Sequence, residues 1–251
     1  MPARRLFALV LIFFLTSIVS VVTGSTSLIT VPVMIEFGID PHVAVATNMM
    51  ALIFMSLGGS LPFARKGVVA RRVLPLSIAL TMVGSAIGAV LLLRVPARAL
   101  QLTIALAMIA VTAFSLAKKD SGSTEHLVSA LQKATGYGTT FLLAVYGGFF
   151  SGGYVTMLTA AFVLLFGLTF LQSVATTKVL NVFSSAIATL IFAWHGVVDY
   201  KLGVILGGTM FLGAVIGGSV TLRISPVWLR RVFLAAVIGL ALKMISAFLL
   251  Q

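Results

Sequence analysis

The chain contains a copy of itself. Shifting residues 24–94 by 129 positions lays them on 153–223 without a gap. Gly24 falls on Gly153, Phe37-Gly38 on Phe166-Gly167, Ala46-Thr47 on Ala175-Thr176, and Phe63-Ala64 on Phe192-Ala193. Gly67-Val68-Val69 falls on Gly196-Val197-Val198, Gly84 on Gly213, Gly88 on Gly217, and Leu93-Arg94 on Leu222-Arg223. A greasy chain aligns apolar letters by chance. It rarely aligns five glycines, an Ala-Thr pair and an arginine in one register. Duplication inside a membrane chain is the sequence mark of a secondary transporter.

Membrane residence follows from composition. Of 251 residues, 60% are hydrophobic and 9% charged, too few polar groups to cover a water-facing surface. Apolar stretches long enough to cross a hydrocarbon core of about 30 Å recur along the chain. In lipid the backbone finds no outside partners, so the spans must be helical. Arg4 and Arg5 before an apolar run imitate a signal peptide, but no A-x-A-like site follows and the region has a counterpart in the second half. With no cysteine, disulfide exchange and thiolate metal sites are excluded. The net charge of +12 does not indicate nucleic acid, because most Lys and Arg sit in short loops at span ends, where they set orientation. It also concentrates anions near the protein.

The apolar segments are 6–37, 42–64, 73–94 and 98–117, then 137–168, 170–194, 202–223 and 227–250. This predicts an all-α integral membrane protein with a first repeat over 1–117, a polar linker over 118–136 and a second repeat over 137–251. Segments 6–37 and 137–168 have 32 residues each, too long for one straight span of about 20. Small and polar residues interrupt both, Thr23-Gly24-Ser25-Thr26-Ser27 in the first and Gly147 to Tyr154 in the second. Each is expected to be a broken or re-entrant pair of shorter helices, tolerated only where protein or a water-filled cavity surrounds the break.

Counting Lys and Arg outside the spans does not decide whether the broken segments cross once or fold back, since either choice puts ten on one side and five on the other, leaving out Lys178 and Lys243; comparing the repeats is more useful. The loop with Arg65, Lys66, Arg71 and Arg72 matches one with only His195, Asp199 and Lys201. The loop with Arg94 and Arg98 matches one with Arg223, Arg230 and Arg231. The heavier positive load has switched loops, as inverted repeats require, although Arg4 and Arg5 then fall on the less positive side.

Enzyme motifs are missing: no H-E-x-x-H, G-x-S-x-G, P-loop or dinucleotide fingerprint. His42, His126 and His195 lie far apart, which argues against a metal site, and Glu36, Asp40, Asp120, Glu125 and Asp199 all avoid mid-span. No catalytic residue and no cofactor is expected.

Lys178 is the exception among charges, eight residues into an apolar span. A charge that deep costs at least a few kcal/mol unless paired or hydrated, and usually marks a pathway or site. Thr176, Thr177 and Asn181 surround it on the helix; the competing explanation is a lysine snorkelling to the interface. Thr47, Asn48 and Met49 hold the matching positions in the first repeat. Two-fold geometry predicts that Thr47-Asn48 and Thr176-Thr177 meet near the midplane. The breaks would add half-helix N-termini, whose N–H groups and positive dipole suit an oxyanion. Gly24, Gly152 and Gly153 let backbone approach closely, and Ser25, Thr26, Ser27, Ser151 and Thr156 supply hydroxyls. For Gly84, Gly88, Gly213 and Gly217, helix packing is the preferred reading.

Gly24 to Pro32, Gly38-Ile39-Asp40-Pro41 and Ala44-Val45-Ala46-Thr47-Asn48 together resemble the TauE/SafE sulfite exporter family. Gly147 to Gly153, Gly167 and Val174-Ala175-Thr176-Thr177-Lys178 resemble its second repeat, so the likeness covers nearly the whole chain. The resemblance implies a multi-pass permease of the cell's plasma (inner) membrane for sulfite or an organosulfonate, with coupling to the proton gradient an expectation that no residue here carries. A passive anion channel, a membrane scaffold or assembly subunit, and an intramembrane enzyme are the competing classes. The duplicated breaks and buried Lys178 favour a carrier, since a scaffold needs neither. Transport direction and oligomeric state are not legible.

Overall fold

Every repeat needs a reason to break its first apolar segment, and backbone conformation supplies it. The structure, a computed structural model, describes residues 3–24, 26–117 and 127–220, with Ile238 beyond them. Gly24 and Gly153, Gly38 and Gly167, and Gly67 and Gly196 all take positive φ, between 64° and 86°. L side chains rarely adopt such angles. Each pair is related by the 129-residue shift, so the duplicated letters encode duplicated bends.

The bends separate nine helices among the described residues: α1 (Ala3–Thr23), α2 (Ser27–Glu36), α3 (Pro41–Arg65), α4 (Leu74–Arg94), α5 (Ala97–Ala117), α6 (Ala130–Phe149), α7 (Tyr154–Phe166), α8 (Phe170–Trp194) and α9 (Tyr200–Val220). There is no strand among them. Six (α1, α3, α4, α5, α8 and α9) carry stretches long and apolar enough to cross a membrane. The long helices start on strong signals. Asp40 caps α3 through the N–H groups of His42 and Val43, with Pro41 in the first turn, and Thr169 forms a capping box with Gln172 on α8.

Both long segments are broken, α1 from α2 at Gly24 and α6 from α7 at Gly153. Both also fold back. Arg5 at the start of α1 donates to the carbonyl of Phe37 just past α2, 3.2 Å away. Tyr137 near the start of α6 stacks edge-on against Phe166 at the end of α7, with ring centroids 4.9 Å apart.

One boundary differs from the sequence reading. α6 begins at Ala130, so residues 130–136 are helix rather than linker. A capping box of Ser129 and Gln132 starts it. Hydropathy finds only the apolar part of a helix, and here the helix outruns it. Residues 118–126 of the linker, the segment 227–250 apart from Ile238, Ser25, His126 and Arg223, Arg230 and Arg231 lie outside the described residues.

The repeats interlock rather than sit side by side. In α4, Gly84 and Gly88 let the backbone of α6 approach: a Cβ on either would strike backbone between Phe141 and Phe149. The counterpart α9 meets α1 in the same way, Gly213 against Phe14 and Ser17 and Gly217 against Ile18. These glycines pack helices, as their spacing implied. α3 runs alongside α9 in the same direction, with Gly203 against Met50, Gly58 against Phe211 and Gly218 against Pro62. α3 and α8, equivalent helices of the two repeats, run antiparallel: Gly59 lies against Lys178, Ser56 bonds Asn181, and the end of each reaches the beginning of the other. Antiparallel equivalents are what inverted repeats require. The exterior is apolar, with Phe7, Leu15, Val83, Leu142, Leu190 and Leu212 exposed and only lipid suited to cover them.

The glycine contacts give a direct test. Gly88→Leu and Gly217→Leu drive side chains into backbone and should lose at least about 1–3 kcal/mol of stability. A Cβ on Gly208 meets nothing within 4 Å, so Gly208→Ala should be neutral or slightly stabilising. Thermal unfolding in detergent reads both; equal behaviour of all three variants would contradict the packing described.

Candidate functional site

Lys178 is buried, 2% exposed, in the second quarter of α8. It does not snorkel. Its Nζ donates to the carbonyl of Ser20, 3.4 Å away, in the last turn of α1. The same oxygen accepts from the backbone N–H of Gly24 at 2.8 Å. The cation and the first break therefore share one carbonyl, at the negative end of the α1 dipole. An ammonium has three donors, and Ser20 is its one acceptor among the described residues. No carboxylate among those residues pairs with it. Gly59 on α3 lies alongside the lysine stem: a Cβ there would sit 3.8 Å from Lys178 Cδ, in ordinary contact.

The two breaks meet beside this lysine. A Cβ on Gly24 would lie 3.1 Å from Thr156 Oγ1 and 3.1 Å from Val155 Cγ1, in the first turn of α7. Gly152 faces Leu28 in the first turn of α2, 2.7 Å from its Cδ2 by the same measure. The N-terminal ends of both short helices thus lie against one another, and their dipoles favour negative charge there. Ser151, with a positive φ of 63°, and Gly153 turn the chain into α7, while the Tyr146 hydroxyl ties down the carbonyl of Gly152. Asn181 donates from Nδ2 to Ser56 Oγ at 2.6 Å. Its Oδ1, like the Ser20 hydroxyl, is buried with no partner among the described residues.

The remaining polar residues brace the short helices. Asn48 accepts from Thr30 at 2.7 Å and donates to Ser27 at 2.9 Å, fixing α2 to α3. Thr177 meets Thr159 at 3.1 Å, fixing α7 to α8. The 129 shift carries Thr30 and Asn48 onto Thr159 and Thr177, so this bond is duplicated. Thr26 donates to Met55 Sδ at 3.1 Å.

Thr47-Asn48 and Thr176-Thr177 do not meet near the midplane. On antiparallel helices in the register set by Lys178 and Gly59, Thr47 and Thr176 lie on the order of 20 Å apart along the axis. Each hydroxyl instead accepts a loop N–H from the other repeat: Thr47 from Asp199 and Thr176 from Ala70, both at 3.0 Å. Equivalent residues meet only at the centre of an antiparallel pair, and these stand near its two ends. The carboxylates of Asp40 and Asp199 serve as helix caps, and no metal-holding cluster of acids and histidines occurs among the described residues.

Comparison with known proteins bears on this arrangement. The family described as sulfite exporter TauE/SafE matches residues 9–244. The chain belongs to the TauE/SafE sulfite exporter family. This TauE/SafE chain is 26% identical over 234 residues to the probable membrane transporter protein ORF9 of Sinorhizobium sp, spanning 93% of this chain and 89% of that one. It is 28% identical over 214 residues to the probable membrane transporter protein YfcA of Escherichia coli (strain K12), covering 83% and 77% respectively. A probable membrane transporter protein of Haemophilus influenzae is 25% identical over 209 residues, covering 83% and 82%. No solved structure matches significantly. With family, relatives and apolar helices in agreement, the TauE/SafE chain is a multi-pass membrane protein.

Sequence reasoning missed Ser20, Ser56, Gly59 and Tyr146. For Ser56 a signal existed: the shift lays it on Ser185, a polar residue kept in both copies of an apolar span.

The threonine bonds predict a stability defect. Thr47→Val and Thr176→Val each strand a loop N–H and should cost about 1–3 kcal/mol in unfolding measurements, with anion affinity near wild type. Loss of affinity at unchanged stability would show that these hydroxyls face the solute.

Proposed function

We propose that this membrane transporter carries a small sulfur-containing anion, sulfite or an organosulfonate, bound where the two breaks meet beside Lys178. The observation that carries this reading is the shared Ser20 carbonyl, which holds a buried and under-partnered ammonium against the break at Gly24. A buried cation with spare donors is costly alone and favourable beside an anion. Thr26, Thr156 and Ser151 stand at the same break points, and the starts of α2 and α7 add their dipoles. The unpartnered Asn181 Oδ1 is an acceptor, which suits a protonated oxygen on the anion or a water beside it. The sulfur chemistry comes from the family description; the charge and donors come from the residues.

Lys178→Met keeps the stem and removes the charge. It should cut sulfite uptake into proteoliposomes by tenfold or more, since a hydrogen bond to a charged group is worth about 1.5–3 kcal/mol, while the protein still folds. Lys178→Arg should restore it only in part, because a planar fork fills the site differently. Uptake measured with and without a pH gradient separates a proton-coupled carrier from a channel. A Lys178→Met protein transporting sulfite at the wild-type rate would remove Lys178 from the site.

A further inference from the structure

The repeats share a backbone but not a lining. Where α4, α7 and α8 pack together, Ser77, Thr81, Ser173 and Tyr154 are completely buried. Their hydroxyls have no hydrogen-bond partner among the described residues. The Tyr154 phenol faces Thr81 without reaching hydrogen-bond geometry. One turn further along α4, Ser85 meets Ser184 of α8 at 2.7 Å. Hydroxyls thus follow the α4–α8 contact from the loop end near Val73 to the level of Ser184. Tyr154, at the start of α7, joins them to the central breaks.

The 129 shift names the equivalent positions between α9 and α3. Ser77, Thr81 and Ser85 become Leu206, Met210 and Ala214; Ser173 and Ser184 become Ala44 and Met55. All five are buried and none can hydrogen-bond through its side chain except weakly through sulfur. At these five positions one seam is polar and its twin is greasy; the sixth, Tyr154, maps onto Ser25, outside the described residues.

Charge follows the same asymmetry. The polar seam opens at the loop that donates to Thr176, flanked by Arg65, Lys66, Arg71 and Arg72. The greasy seam opens at the loop that donates to Thr47, with only His195, Asp199 and Lys201. Cations at a mouth raise the local anion concentration. Buried hydroxyls are almost always hydrogen-bonded, so four stranded ones in a single seam call for water or a hydrated solute.

We propose that the α4–α7–α8 seam is a hydrated vestibule through which a small anion exchanges between the central site and the membrane face carrying the 66–73 loop, and that the α9–α3 seam is its dry counterpart. The four cations assign that face to the cytoplasm. The anion identity rests on the function proposed above; the hydration of the seam does not.

The chain has no cysteine, so single thiols report without background. Ser77→Cys and Thr81→Cys are compared with Leu206→Cys and Met210→Cys, in vesicles of both orientations, using a small membrane-impermeant thiosulfonate. Only a thiolate reacts, and a dry seam suppresses it by about tenfold for each unit its pKa rises. Ser77→Cys and Thr81→Cys should react from the 66–73 face at least about tenfold faster than the other two. Equal rates at all four positions, or reaction only from the opposite face, overturns the proposal. Hydroxyl-radical footprinting of the wild-type protein covers the case of a variant that misfolds: Tyr154 should be oxidised and Met210 protected, and the reverse pattern refutes the vestibule. Neither readout uses sulfite, so a failure of the substrate reading remains visible separately as absent uptake.

Discussion

The fold depends on two hydrogen bonds that are copies of one another. Thr47 holds the loop after α8, and Thr176 holds the loop after α3. Together they pin the ends of an antiparallel helix pair, and the rest is arranged around that pair. α9 and α4 flank it, α1 and α6 lie outside them through glycine contacts, and the folded-back α2 and α7 are clamped to it by Thr30–Asn48 and Thr159–Thr177. A hydroxyl that satisfies a half-buried N–H is worth little alone. Two of them, at opposite ends of the pair, set its register, and register decides which residues reach the centre.

Symmetry supplies the frame, and departures from it supply the chemistry. A purely symmetric chain would put the same residue at 49 and 178. Here one is a buried methionine and the other a buried lysine. The cation lies against the end of α1, beside the break at Gly24, and in the function proposed above this one charge serves both repeats. The same logic separates the two seams, hydroxyl-bearing on one side and apolar on the other.

Much of the fold was legible because its determinants are local. α3 and α8 were readable almost to the residue, since Asp40-Pro41 and Thr169 cap them and glycines in positive φ precede them. The breaks were legible because a 32-residue apolar run cannot be one helix. Lys178 stood out as a charge with no apolar excuse. The start of α6 was missed because its capping box lies in a polar stretch that hydropathy discards. The partners of Thr47 and Thr176 were missed because an offset within one chain does not state which ends of two antiparallel helices meet. Ser20 was missed for a different reason: it acts through its backbone carbonyl, which every residue has.

The central claim is that the two repeats face opposite ways, with Lys66 and its equivalent His195 on opposite sides of the membrane. Both residues are exposed. Lys66→Cys and His195→Cys, placed singly in this cysteine-free chain, can be labelled in sealed vesicles with an impermeant maleimide. The account predicts that in vesicles of one orientation one of the two reacts at once and the other only after permeabilisation, with the roles exchanged in inverted vesicles. Reaction of both from the same face would contradict it.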